Sequence, residues 1–245
     1  MPRSLALLFV LAATSVSLFA NALTDTEHTE TRPVGVLSAR LAAGYSHSYF
    51  DNIPTLRQDS TLGWTDSTNT VRLGSQIVGG SSNTDGKFNA VLNAGYDRYL
   101  LSWFEVFAFT NYESQVIASI QGKFITGGGG KVVFIKSKQM LLDFSMAPVY
   151  VQTQYANLPL KEELSISARA RFRVELTRGL NLSIPYFVIA DTRDTRNQWH
   201  SLEPALSYAF TDYADVSGGY RYRYNLLNQS FAGTIYVTAA VRFKN

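Results

Sequence analysis

The chain has 245 residues, 46% of them hydrophobic and 17% charged, with a formal net charge of +3 and no cysteine. The missing cysteine excludes disulfides, thiolate metal sites and a lipid anchor on cysteine. The charge is too small to point to nucleic-acid binding. No long uninterrupted apolar run follows the N-terminal segment, so no transmembrane helix is predicted.

The chain opens Met1-Pro2-Arg3, followed by an apolar run from Leu5 to Leu11 and then small residues up to Ala20-Asn21-Ala22. One positive charge, a short apolar core and a small-x-small site are the parts of a secretory signal peptide. Residues 1–22 are therefore expected to be removed on export, leaving a mature start at Leu23. Residues 23–35, polar and acidic with Asp25, Glu27 and Glu30, read as a flexible periplasmic lead-in.

From residue 36 onward, alternation with a period of two recurs. The clearest case is 165–176, where Ile166, Ala168, Ala170, Phe172, Val174 and Leu176 alternate with Ser165, Ser167, Arg169, Arg171, Arg173 and Glu175. Successive strand residues point to opposite faces, so this is a strand with one oily and one charged side. Twelve strand-like segments are predicted: 36–49, 56–66, 69–80, 86–98, 102–113, 117–136, 139–152, 162–176, 179–191, 198–210, 213–224 and 232–243. The glycine run 127–130 is expected to form a bend or bulge within the sixth strand.

Short connections such as Ser67-Thr68, Ser137-Lys138, Thr177-Arg178 and Thr211-Asp212 alternate with mostly longer ones. Short turns at one end and longer loops at the other are the pattern of an outer-membrane barrel. The predicted fold is all-β: residues 36–245 as a single antiparallel transmembrane β-barrel of about twelve strands. A soluble β-sandwich is the alternative.

In such a barrel the oily faces meet lipid and the charged faces line the lumen, because an outward Lys or Arg at the bilayer midplane costs about 2–4 kcal/mol. The lumen and selectivity candidates are Arg40, Arg169, Arg171, Arg173, Arg221, Arg223 and Arg242, with Glu175 and Glu203 as acidic counterparts. Positive charge is in excess among these positions, which in a hydrated pore favours anions. A network of ion pairs that only holds the wall together is the competing reading. Trp64, Tyr96, Trp103 and Tyr213 fall near predicted periplasmic ends, and Tyr220 and Tyr222 near predicted outer ends. They are expected to form two aromatic girdles at the membrane interfaces.

Tyr96-Asp97-Arg98-Tyr99-Leu100, Asn111-Tyr112-Glu113, the glycine run Gly127–Gly130, and Pro148 with Tyr150 occur in this order. In these motifs, from about residue 56 onward, the chain resembles an uncharacterised outer-membrane family, the salt-induced YdiY type. That resemblance implies a barrel without an established activity and carries over no catalytic residue. It also suggests a departure: barrels of this kind commonly end on an aromatic residue read by the assembly machinery, whereas Phe243 is followed here by Lys244-Asn245.

An outer-membrane esterase would carry His-x-Ser on one strand face. The residues two places beyond His28, His47 and His200 are Glu30, Tyr49 and Leu202, and Ser48 and Ser201 point away from their neighbouring histidines. The glycine run lacks the first glycine and the Ser or Thr of a phosphate loop, since Ile125 and Val132 stand there. No catalytic residue, metal site or cofactor is expected. The expected function is that of a non-enzymatic barrel of the bacterial outer membrane, with a narrow anion-preferring channel through an Arg-rich lumen as the leading reading and a closed structural or stress-response barrel as the alternative. A lipid-modifying enzyme is the remaining alternative. Expected partners are outer-membrane lipids and, during insertion, the barrel-assembly machinery; nucleic acid is not among them, and a monomer is expected because a closed barrel has no free edge.

Overall fold

The structure is a computed structural model that describes residues 36–48, 53–81, 86–115, 120–156, 159–194, 196–227, 229 and 231–244. The expected signal peptide and lead-in lie outside the described residues. Thirteen strands follow in order: β1 Val36–Ser48, β2 Ile53–Thr65, β3 Asn69–Ser81, β4 Gly86–Tyr99, β5 Phe104–Gln115, β6 Ile120–Lys136, β7 Met140–Tyr155, β8 Lys161–Thr177, β9 Leu180–Asp191, β10 Gln198–Leu202, β11 Ala205–Thr211, β12 Ala214–Asn225 and β13 Phe231–Lys244. Sequential strands pair antiparallel except β10 and β11, which follow one another along the wall, and β1 pairs with β13 from Ser38↔Lys244 to Ser48↔Thr234. The sheet therefore closes on itself.

β10 and β11 are two halves of one wall element. Both pair with β9 on one side and β12 on the other, and the register is the same on either side of the break. The barrel thus has twelve staves, as the alternation predicts. The break falls at Glu203-Pro204, because proline has no N–H to give the ladder. A second proline stands opposite. The Glu203 N–H donates to the Pro185 carbonyl at 3.1 Å and the Tyr220 N–H to the Pro204 carbonyl at 3.0 Å. Neither proline can return the bond, so two neighbouring rungs each keep one bond of a possible two.

Side-chain burial is inverted relative to a soluble protein. Outward residues such as Leu92 (59% exposed), Leu41, Leu73, Met146, Ile166 and Val237 are large, apolar and uncovered. Inward residues such as Asp143, Glu113, Glu105 and Lys131 are at most 1% exposed. A continuous apolar surface of this extent is stable only against lipid. Closure and inversion together exclude the sandwich.

The glycine run is not a bulge. Pairing with β5 passes through Gly127–Gly130 without a shift, and pairing with β7 skips Gly128 and Gly129 and resumes in the same register. The irregularities of β6 lie outside the run, at Ile120/Gly122 and Val133/Ile135. What the glycines supply is proximity. A Cβ on Gly129 would collide with the Met146 carbonyl oxygen, and one on Gly127 would sit 3.0 Å from the Phe109 ring. The turn joining β2 to β3 is closed by Asp66, whose carboxylate accepts from the Asn69 side chain and from the backbone N–H groups of Thr68 and Asn69. These bonds hold its pKa down at about 2.

Two outcomes follow for folding in detergent or lipid vesicles. Gly129→Val should cost about 1–3 kcal/mol by forcing β6 and β7 apart, whereas Gly95→Ala, whose Cβ would meet nothing within 4 Å, should stay within about 0.5 kcal/mol of the parent. Leu92→Arg should cost about 2–4 kcal/mol in a bilayer. Both are read by equilibrium unfolding monitored through the heat-sensitive gel mobility of the folded barrel.

Candidate functional site: the charged lumen

Because strand side chains alternate, every stave sends a second file of residues inward, and the polar file of each strand meets the others across the lumen. These inward groups sort into three levels.

At the periplasmic mouth, Asp215 of β12 accepts from Arg242 Nε at 2.8 Å and Arg40 Nη2 at 3.5 Å. Arg40 and Arg242 face each other across the β1–β13 seam. One carboxylate thus offsets the repulsion of two guanidinium groups at the place where the first and last strands meet. Arg173 of β8 is half-buried and makes no ion pair or hydrogen bond among the described residues. Glu175 is used locally: its Oε1 accepts the Gly179 N–H at 3.0 Å and closes the β8–β9 turn, with Gly179 at φ 82°.

At the waist the pairs run from strand to strand. Arg72 of β3 binds Asp97 of β4. Lys131 of β6 lies 2.5 Å from Glu105 of β5 and 3.7 Å from Asp97. Arg171 and Arg169 of β8 reach Asp143 of β7 at 2.5 and 3.4 Å. A cavity of about 20 Å³ remains between Arg72, Asp97, Lys131, Ser145 and Arg169, room for roughly one water molecule. Beside it an apolar cluster of Phe109, Ile125, Ala147, Val149, Val151 and Phe187 fills part of the lumen, with Phe107 stacked on Phe109 at 6.3 Å.

Towards the outer rim, Arg57 pairs with Asp59 at 2.5 Å, Gln76 Nε2 donates to Asp59 at 2.7 Å, and Asn89 Nδ2 donates to Glu113 at 3.0 Å. Arg221 binds Glu203 at 2.5 Å. The guanidinium groups of Arg57 and Arg221 lie 5.9 and 6.0 Å from the Tyr236 ring centre, positions that favour cation–π attraction. Arg223 is buried one inward position above Arg221.

All the arginines singled out from the sequence therefore face inward, at different heights, and the structure brings Arg169 and Arg171 together on one carboxylate and Arg40 and Arg242 on another. Asp97, Glu113 and Lys131 are buried members of the lumen that the charge pattern did not single out. Their signal was available: Asp97 shares its file with Asn89, Val91 and Asn93, and Lys131 shares its file with Lys123 and Ile125. Counting Asp97 and Glu113 reduces the excess of positive charge. Phe107 and Phe109 carried no comparable signal, because aromatics occupy both faces of β5.

On the outer wall, Trp64, Tyr96, Trp103 and Tyr213 are exposed near the periplasmic ends of their strands or in the adjoining turns, and Tyr220 and Tyr222 are exposed in the outer half of β12. His200 also faces outward, where its Nδ1 is 2.8 Å from the Tyr186 hydroxyl. Ser201 points into the lumen, and His47 has Ile235 and Pro54 as its cross-strand neighbours. His200 and Ser201 thus lie on opposite faces of the wall, which is not the arrangement of a hydrolase. Among the described residues no group of three or more His, Cys, Asp or Glu is placed to hold a metal ion.

Solved structures of similar fold are outer-membrane barrels. The NanC porin aligns with a TM-score of 0.60 at 10% identity, over 82% of this chain and 98% of that one. The COG4313 outer membrane channel from Pseudomonas putida F1 aligns at 0.56 and 10% identity, over 89% and 99%. The KdgM porin aligns at 0.53 and 11% identity, over 83% and 99%. At these identities the likeness is one of fold. No curated protein matches the sequence. Residues 55–230 match the family described as "Protein of unknown function, DUF481"; with most of its barrel inside that match, the chain belongs to the DUF481 family of outer-membrane-type β-barrels.

Proposed function

We propose that this chain is a non-enzymatic, monomeric barrel of the bacterial outer membrane whose lumen is shut by its own ion pairs. One observation carries the reading: inward charges on five consecutive strands, Asp97, Glu105, Lys131, Asp143 and Arg169, are each at most 4% exposed. Side chains so covered border no water-wide passage. Their pairs form two groups, Arg72, Asp97, Lys131 and Glu105 on β3 to β6, and Asp143 with Arg169 and Arg171 on β7 and β8, which together brace the waist over six neighbouring strands. Buried charges of this kind are held only while their partners are present. Outer-membrane lipids are the partners of the outward face, and the barrel-assembly machinery is the partner during insertion.

A second reading, a narrow channel with anion preference, is favoured by a different observation. The β8 and β12 walls carry Arg169, Arg171, Arg173, Arg221 and Arg223 on their inward faces, a positive lining that attracts anions once hydrated. The solved structures of similar fold, two porins and an outer membrane channel, agree with it. It requires the waist to open.

Planar-bilayer recording of refolded protein under a salt gradient separates the two. Silence is expected for the closed barrel. Discrete steps with an anion-directed reversal potential, displaced towards cations by Arg173→Gln, would replace it with the channel. The brace has its own test: Asp143→Asn removes the buried carboxylate that Arg169 and Arg171 share and should lower unfolding stability by about 3–5 kcal/mol. A loss below about 1 kcal/mol would show that water already solvates these arginines.

A further inference from the structure

In the outer half of the lumen each carboxylate has at least one oxygen held by a neighbour, and one guanidinium has its side-on edge open among the described residues. Asp59 is held by Arg57 and Gln76. Glu203 Oε1 is held by Arg221. Glu113 accepts from Asn89 and faces Lys123 across the β5–β6 ladder. Arg223 is 4% exposed, and its electrostatic neighbours are Arg221, Glu203, Glu113 and Arg57. Yet its Nε and Nη2 are buried with no hydrogen-bond partner among the described residues. These two nitrogens form the side-on edge of the guanidinium, the pair of parallel N–H groups that matches the two oxygens of a carboxylate or phosphate.

Other buried polar atoms around it lack a hydrogen-bond partner among the described residues: Ser201 Oγ, Arg221 Nε and, on the acceptor side, Glu203 Oε2, whose Oε1 is held by Arg221. Ser201 is the residue directly opposite Arg223 across the β10–β12 ladder, and its buried Oγ is unpartnered. Arg221 uses Nη2 for Glu203 while its buried Nε has no acceptor. Buried donors in a folded protein are ordinarily satisfied, and each one left open costs stability. The group that matches these parallel N–H donors is an acceptor with two oxygens and negative charge.

We propose that Arg223, with Ser201 and Arg221, forms a binding site for a single small oxyanion, a carboxylate or an inorganic phosphate, two rungs inside the outer end of β12. The anion would lie side-on against Arg223 Nε and Nη2 and accept from the Ser201 hydroxyl. Arg221 stays committed to Glu203, which limits the site to one anion and keeps the guanidinium groups of Arg57 and Arg221 over Tyr236. The site requires no conduction through the waist. It gives the barrel a ligand whether the lumen is shut or open.

The test is titration calorimetry on the full folded chain in detergent micelles, with inorganic phosphate or acetate added in a chloride background of constant ionic strength. Saturable binding of one or both is expected, and which of them binds decides between a phosphate and a carboxylate ligand. Arg223→Lys keeps the charge and removes the fork, and should weaken binding about ten- to hundredfold; Arg173→Lys, at the other mouth, should leave it unchanged. Equal affinity in the parent and Arg223→Lys, or no saturable binding of either anion, overturns the site. Should Arg223→Lys not fold, the side-chain Nε–H resonance of Arg223 in the unaltered protein serves instead: it should move during the titration, and a fixed resonance overturns the proposal. Since binding is read without a bilayer, its failure is distinct from any result on conductance.

Discussion

Inside a hydrocarbon layer every backbone N–H and C=O has to find its partner within the protein. A strand can meet that demand only if both of its edges are paired, so the wall must return to its beginning. The β1–β13 seam is where this happens, over eleven matched positions, and the remaining features depend on it. Closure makes an inside distinct from an outside. It also places Arg40 beside Arg242, two cations that the chain separates by nearly its whole barrel. Asp215, reaching in from β12, makes that juxtaposition tolerable.

The wall is nevertheless not uniform. Pro185 and Pro204 face one another's staves near the middle of the barrel and remove one ladder bond each, in a setting where water cannot replace it. The adjacent rung carries the Arg221–Glu203 pair, so a charge-assisted side-chain contact stands beside the place where the backbone ladder is thinnest. Elsewhere the register shifts sit close to the ends of strands, at Ile120/Gly122, Val133/Ile135, Glu175/Thr177 and Ala209/Thr211, where bulges are easiest to accommodate. The glycine run serves a third purpose. It lets β6 approach β7 closely and leaves room above its backbone for the Phe109 ring, which makes the lumen partly apolar.

A barrel of twelve staves is narrow enough for long side chains to meet across it. Here the meeting groups are arginine, lysine and carboxylates on neighbouring strands, supported by a phenylalanine and valine cluster. Pairing a buried charge is costly to undo, so such a lumen is well determined and hard to open. The outer level is less complete. Glu203 and Asp59 each hold an arginine there, whereas Arg223 Nε and Nη2 have no hydrogen-bond partner among the described residues, which separates a braced waist from a polar region with spare donors.

Much of this was legible from residues alone. The period-two alternation in 165–176 set the oily and charged faces of β8, and repeated across the chain it implied twelve staves, because strand geometry turns sequence parity directly into side-chain direction. The inward direction of Arg169, Arg171, Arg221 and Arg223 follows from the same parity together with the cost of charge in lipid. Three things waited for the tertiary structure. Which carboxylate each arginine meets depends on shear between strands, which parity does not encode. Asp143 serves two arginines and Asp97 serves Arg72 and Lys131 only because of how the staves are staggered. The split at Pro204 and the unshifted glycine run are matters of hydrogen bonding between neighbours distant in sequence. Whether the lumen is filled is a question of volume, decided by the rings of Phe107, Phe109 and Phe187 meeting inside a closed wall, and no local pattern of residues contains that sum.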